Sequence, residues 1–497
     1  MNGGGRMIPI SAEELSGLTT EQKRALLKRL LLEKADASSD YQLSYGQQAF
    51  WFIHKLRPDS AAYNIAVSAR LRRSLDTSAL RRSLAQLVER HAALRTIVIE
   101  TESGPIQRAS RLATVDFREV DAPSGDQHVR EQVIEEYRRP FVLGQPLFRV
   151  TLFQVPDRSQ ILLFSIHHLV FDAGSTDTLI DDLCKFYEAQ TQNIAADPPP
   201  PQAQYSEFVS WQRQLLSSPE ADRLFSYWAN ALAGPPPPLQ FPPWPSGLPI
   251  GVRSASIPAS PNAEAVANLR QLARSHNATV YMVMLAAFQV LLHRYTRQND
   301  IVIGSPTGGR TQTRWSGVIG NFINMLPIRS DLSDNPVFSA HLACTRETVL
   351  KALAHQELPF PLMLERLRLS RSQLGSPLFQ VLFNFVSLPP GSSASQLFRE
   401  DAANSGVPFG ATMLEPFPIP QQEGQFGLVL EAMEADGKLT AQLRCSPDGP
   451  DPELASTMAA DYLSLLTAAV SDPGSRIGSL ALPRLDASEM PRDVILL

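Results

Sequence analysis

The sequence predicts an α/β protein built from two domains of similar size. Three observations carry this. Helix-period and strand-like segments recur in both halves of the chain, and its 497 residues exceed what one compact core accommodates. Between the halves, a proline-rich stretch from Pro235 to Pro249 (PPPPLQFPPWPSGLP) can continue neither a helix nor a central strand. It reads as a semi-rigid connector. The expected division is a leader at 1–40, a first domain at 41–234 and a second at 235–497. No sequence repeat relates the two halves.

Taken in order, the first element is a helix over TTEQKRALLKRLLLEKA. Thr19 and Gln22 have capping-box spacing, and Leu26, Leu27, Leu30 and Leu31 form an apolar stripe. A docking or linker role and simple packing on the next domain fit this helix equally well, and the polar DASSD (Asp36–Asp40) after it reads as a linker. SLDTSALRRSLAQLVERHAAL has helical periodicity, with Leu80, Leu84, Leu87 and Val88 on one side. TIVIE (Thr96–Glu100) is β-branched and reads as a strand. FRVTLFQV and ILLFSI read as strands joined by the turn PDRSQ, the second apolar on both faces and therefore deep in a sheet. GSTDTLIDDLCKFYEA follows as a helix, with Ser175 as N-cap, Asp177 at the positive end, and Leu179, Leu183, Phe186 and Tyr187 inward. Beyond the connector, VYMVMLAAFQVLLHRY is an apolar helix and IVIGS a strand. VLFNFVSL, FGLVLEAME and KLTAQLRCS are further strands, and LASTMAADYLSLLTAAV is a late helix.

Composition excludes several functions. The chain is 43% hydrophobic and 19% charged with a net charge of −5, which supports a sizeable core and argues against a nucleic-acid surface. Cys184, Cys344 and Cys445 lie far apart with no CxxC pair, so neither a disulfide framework nor a cysteine zinc site is expected, in keeping with a reducing cytosol. No apolar run approaches the roughly 20 residues of a membrane span, and the N-terminus lacks the apolar core of an export signal.

The richest chemistry lies in SIHHLVFDAGS. A buried strand delivers His167 and His168, and Asp172 follows in the turn before a helix. Strand alternation sends the two imidazoles to opposite faces, one to a cleft and one to packing. An imidazole of ordinary pKa near 6.5 is the natural proton acceptor at neutral pH, and Asp172 can orient a ring or pair with an arginine to hold the turn. Other catalytic signatures are missing: no GxSxG elbow, P-loop, GxGxxG or HExxH is present. What remains is a histidine-based transfer between two bound substrates.

HHLVFDA resembles the HHxxxDG signature of the condensation domains of nonribosomal peptide synthetases, relatives of chloramphenicol acetyltransferase. Further segments resemble the family's motifs in order: SYGQQAFWF (Ser44–Phe52), RHAALRT (Arg90–Thr96), YSEFVSWQ (Tyr205–Gln212), IGNFINMLPIR (Ile319–Arg329), and HQELPF with SPLFQVLFNF (His355–Phe385). The resemblance spans nearly the whole chain except the leader.

The resemblance implies two chloramphenicol-acetyltransferase-like subdomains forming a V with a central tunnel. It implies an acyltransferase that joins a carrier-bound acyl or peptidyl thioester to an amine on a second carrier protein. Both substrates would ride on 4′-phosphopantetheine, with no cofactor or metal held by the chain itself and no nucleic acid or membrane as partner. An ester-forming enzyme acting on a soluble hydroxy acid or alcohol, and an inactive carrier-docking scaffold, are the alternatives. By this resemblance His168 is the catalytic position, while His167 and Asp172 are mainly structural, with Asp172 paired to Arg149 or Arg95. Asn384 matches a position near the tunnel, and GSPTGGR through GNF resembles its floor. One departure stands out: Ala173 occupies the family's glycine position, with Gly174 expected to supply flexibility one residue later. Trp51, Phe52, Trp211 and Trp228 are expected in the core, Arg90 and Arg95 in structural ion pairs, and Pro359 and Phe360 in a turn.

Overall fold

The computed structural model describes residues 40–110, 114–194, 198–234, 238–241, 255–368, 378–398, 406–420, 426–446 and 449–487. The leader helix and most of the proline-rich connector lie outside the described residues.

Two six-stranded mixed sheets organise the chain. The first runs, edge to edge, Val407–Phe409, Thr412–Pro416, Asn64–Leu71, Gln160–His167, Phe148–Gln154 and Asp116–Asp121. Only Asp116–Asp121 pairs in parallel, alongside Phe148–Gln154. The second runs Asn324–Asp331, Asp300–Thr307, Val381–Ser387, Leu428–Ala435, Lys438–Cys445 and Ala255–Pro258, with Val381–Ser387 parallel to both its neighbours. Thr96–Thr101 forms a strand as expected, but in a separate three-stranded sheet with Gly104–Ala109 and Asp40–Gln42.

Each sheet is backed by helices whose ends are fixed by short polar side chains. Thr77–Arg90 starts at Asp76, whose carboxylate accepts from the Ala79 amide, and buries Leu80, Leu84, Leu87 and Val88. Thr176–Gln192 lies beside it, with Leu179, Leu183, Phe186 and Tyr187 buried. In the second half, Thr279 caps Val280–Thr296, a helix buried on nearly every side. Asp451 caps Pro452–Ser471. By length and composition this last helix could cross a bilayer, yet half of it is packed inside the protein, against Val280–Thr296 among others. All-round burial explains why Val280–Thr296 reads as an apolar run, whereas Pro452–Ser471 buries one face, from Leu454 to Ala469.

The two halves exchange chain twice. Strands Val407–Phe409 and Thr412–Pro416, far beyond the connector, complete the first sheet: Glu415 and Pro416 lie opposite Arg70 and Ala69. Burial drives this crossing, because Val407, Phe409 and Leu414 join the first core and cover what would be an open sheet edge. Ser68 Oγ adds a hydrogen bond to the Phe417 carbonyl at 2.6 Å. The second exchange is the segment after Asp300–Thr307, which buries Trp315, Val318, Ile319 and Phe322 in the first core.

Of the aromatics expected inside, Trp228 is 1% exposed, Trp51 and Trp211 are half-buried, and Phe52 is 39% exposed. Phe52 therefore departs from expectation, because it lies on the outer face of the helix Tyr45–Leu56. Pro359 and Phe360 start a helix rather than shaping a turn: Pro359 is the N-cap of Phe360–Arg366, whose first amide donates to Asn324 Oδ1 at 2.8 Å.

Candidate active site

The strand Gln160–His167 is buried at all eight positions between Asn64–Leu71 and Phe148–Gln154. A rigid, fully paired strand is a firm base for a reactive side chain. His167 ends it facing the packing side. Its Nδ1 accepts from the Leu169 amide at 3.1 Å, and its ring lies among Phe141, His54 and Tyr63. Burial, reinforced by His54 and His168, pulls its pKa down to about 3, so His167 is neutral at physiological pH.

His168 leaves on the other side. Its amide donates to the Tyr63 carbonyl at 2.8 Å, and its ring stacks on Phe50 with centroids 5.0 Å apart and planes 18° from parallel. The residue is half-buried, and its Nδ1 is enclosed without a hydrogen-bond partner. Burial lowers its pKa; weaker backbone interactions at His168 and Phe171 and the charge of Asp172 oppose the shift. The ring is thus held in the neutral form that can accept a proton.

Asp172 is 1% exposed and saturated with donors. Arg310 grips it bidentately, Nη1 to Oδ2 at 2.7 Å and Nη2 to Oδ1 at 2.8 Å. Ser175 Oγ donates to Oδ1 at 2.8 Å and the Phe322 amide to Oδ2 at 3.0 Å. Arg310 also donates to the Val318 carbonyl and lies over the Phe322 ring. The turn after the histidines is therefore clamped by a segment from the second half of the chain.

This corrects the expected ion pair, because neither Arg149 nor Arg95 meets Asp172. Arg149 lies opposite Ser165, on the face His167 occupies, where it covers Phe141 and donates to the carbonyls of Arg139 and Pro140. Burial, with Arg139 nearby, lowers its pKa to about 10. Arg95 donates to the carbonyls of Val88 and Ser110 and makes no ion pair among the described residues. Arg90 does form a structural pair: Asp182, despite its burial, is held at about 2 by His91 and Arg90, at 2.9 and 2.8 Å.

Ser175 precedes its helix without a side-chain capping bond, since its hydroxyl serves Asp172 instead. Ala173 opens a short 3-10 turn with its side chain exposed. Gly174 contributes room rather than flexibility: its φ is ordinary, and a Cβ there would sit 2.6 Å from Arg310 Nη1. Gly174→Ala is accordingly expected to push the guanidinium off Asp172 and lower the melting temperature, whereas Ala173→Gly, at an open position, leaves it within about a degree. Paired melting curves check this, and equal curves for the two variants would refute the spatial role of Gly174.

Asn384 lies in the second sheet, in register with Glu431, and its amide donates to Glu431 Oε1 at 3.2 Å. It shares no hydrogen bond with the histidines among the described residues. Sequence reasoning missed Arg310 as the clamp, although GSPTGGR contains it. It also missed Phe50 and the chain from Ser44 Oγ through Tyr205 Oη to the Asn321 carbonyl. A buried aspartate demands a cation, but nothing in the sequence says which arginine reaches it.

A family model described as Condensation domain matches residues 37–490, most of the chain. The protein belongs to this family. Linear gramicidin synthase subunits C and B of Brevibacillus parabrevis are 34% and 33% identical to this condensation domain, over 88% and 95% of its length. The chain spans only 6% and 9% of those two relatives. Among solved structures, the X-domain from teicoplanin biosynthesis superposes with a TM-score of 0.78 at 24% identity, covering 88% of this chain and 97% of that one. The condensation domain of the Monacolin K polyketide synthase MokA gives 0.75 at 20% identity, covering 88% and 99%. These two likenesses show that the chain has the fold of those X- and condensation domains. SgcC5 of Streptomyces globisporus, solved with a naphthyl ethanediol and sucrose, gives 0.68 at 25% identity, covering 88% and 100%.

Proposed function

We propose that this condensation domain transfers an acyl or peptidyl group from a carrier-protein thioester to an amine on a second carrier protein, within nonribosomal peptide or hybrid polyketide assembly. The observation that carries the reading is His168: a neutral, half-buried imidazole at the end of a buried strand, in a turn clamped by Arg310. The amine nitrogen attacks the thioester carbonyl, its N–C bond forms, and the C–S bond breaks. His168 accepts the amine's proton and returns it to the departing thiolate. Both thiols belong to 4′-phosphopantetheine arms of the carriers, so the chain supplies no prosthetic group of its own. The two six-stranded sheets with their helices then form the two walls of a substrate tunnel. The first wall is built from 41–234 together with 407–416 and the segment carrying Trp315 and Phe322. The reaction takes place in the cytoplasm.

A second reading, ester formation with a soluble alcohol, is favoured by the likeness to SgcC5, solved with a diol. A pH series on wild type and His168→Ala separates them, offering a carrier-bound acyl donor with either an aminoacyl carrier or a free hydroxy acid and reading products by intact mass. An α-amine with a pKa near 7.7–8.0 is increasingly deprotonated by solvent as pH rises, so amide formation by the variant is expected to recover. An alcohol keeps its proton, so ester formation by the variant would stay near background throughout. Product only with the hydroxy acid overturns the amide reading. No product from wild type with either acceptor points to a carrier-docking scaffold.

A further inference from the structure

A catalytic histidine needs something to hold its ring. In many hydrolases that is a carboxylate bonded to the nitrogen away from substrate. Here the nearby carboxylate cannot serve: both oxygens of Asp172 are committed to Arg310, Ser175 and the Phe322 amide. His168 Nδ1 is enclosed without a hydrogen-bond partner. The orientation of the imidazole therefore rests on its backbone neighbours at His168 and Phe171 and on packing.

The packing surface is Phe50. Its ring lies nearly parallel to His168 at 5.0 Å and is itself held edge-on by Tyr63, with centroids 5.0 Å apart at 78°. The Tyr63 carbonyl accepts the His168 amide, so backbone and ring are both referenced to one aromatic pair. Phe50 belongs to the helix Tyr45–Leu56, whose start is fixed by a reciprocal Ser44–Gln47 capping box. Gln47 is fully buried and its amide donates to the Leu169 carbonyl, one residue past His168. That helix also packs against Phe360–Arg366 of the second half.

We propose that Phe50 is a positioning residue for His168, an aromatic platform that fixes the imidazole plane in the role a carboxylate plays elsewhere and leaves Nε2 as the nitrogen presented to substrate. The proposal rests on the reading of His168 as the base. The titratable groups whose charge reaches the ring are Asp172, already paired with Arg310, and His167 across the strand. Neither forms a hydrogen bond with it among the described residues.

The test uses the whole chain with isotope-labelled histidine, comparing wild type, Phe50→Leu and Phe50→Tyr, with His168→Ala to assign the signal. In Phe50→Leu the His168 resonance is expected to titrate at higher pH, as the freed ring gains water. The rate of acyl transfer should fall about tenfold with KM within about twofold, since the loss is of orientation rather than binding. Phe50→Tyr should restore both readouts, and Phe50→Met, of similar volume and without a ring plane, replaces Leu should that variant not fold. An unchanged His168 titration in Phe50→Leu or Phe50→Met overturns the proposal. Because the titration needs no substrate, it stands apart from any failure of the condensation reading, which would appear as an absence of product from wild type.

Discussion

His168→Ala should lose about 10²–10⁴ of the acyl-transfer rate at neutral pH while keeping its melting curve, because that is the usual contribution of a positioned general base. The fold has little stake in this ring. Its amide bonds to Tyr63 through the backbone, which alanine retains, and its Nδ1 makes no hydrogen bond that would be lost. Among the described ring contacts the stack on Phe50 is given up, and the residue is half-buried to begin with. Intact-mass measurement of donor and acceptor carriers gives the rate, and circular dichroism the melt. A variant within a few-fold of wild-type rate would remove His168 from the chemistry.

Asp172→Asn is expected to fail differently. The substitution leaves a guanidinium that is only 14% exposed facing an amide instead of a carboxylate. Breaking one side of a buried pair costs about 3–5 kcal/mol. For halves of this size, that is a melting shift on the order of 10 °C. The Phe322 amide and Ser175 hydroxyl, which also donate to the carboxylate, add to the loss. Since the clamp ties the turn to the segment carrying Trp315 and Phe322, yield should fall with stability. A well-folded Asn variant with a rate loss as large as that of His168→Ala would place Asp172 in proton transfer rather than in structure.

The two substitutions are expected to divide one short motif into chemistry and clamp, a division already read in the sequence. An uninterrupted apolar strand could only be a sheet interior, and alternation then forces adjacent histidines onto opposite faces. Helices of both halves were legible from their apolar periodicity, a local property, whereas the caps at Asp76, Thr279 and Asp451 came only from the structure. Six motifs in family order added what local rules cannot, the kinship to condensation domains.

Long-range pairing was not legible. Thr412–Pro416 joins the first sheet because its apolar side chains fit an edge nearly 350 residues earlier in the chain (Pro416 faces Ala69), and no local pattern encodes that choice. Arg149, one of the two partners the resemblance implied for Asp172, lies on the adjacent strand, but register sends it to the wrong face. Arg310 is 138 positions away and reaches Asp172 through a turn for which Gly174 leaves room. The sequence by itself determined several strands and helices, though not the central strand Asn64–Leu71, together with the parting of the two histidines and the family motifs around them, since each depends on neighbouring residues or their order. Only the tertiary structure decided which cation holds Asp172, which ring carries His168 and where the halves trade strands. Those choices depend on distances across the fold, set by how whole faces pack.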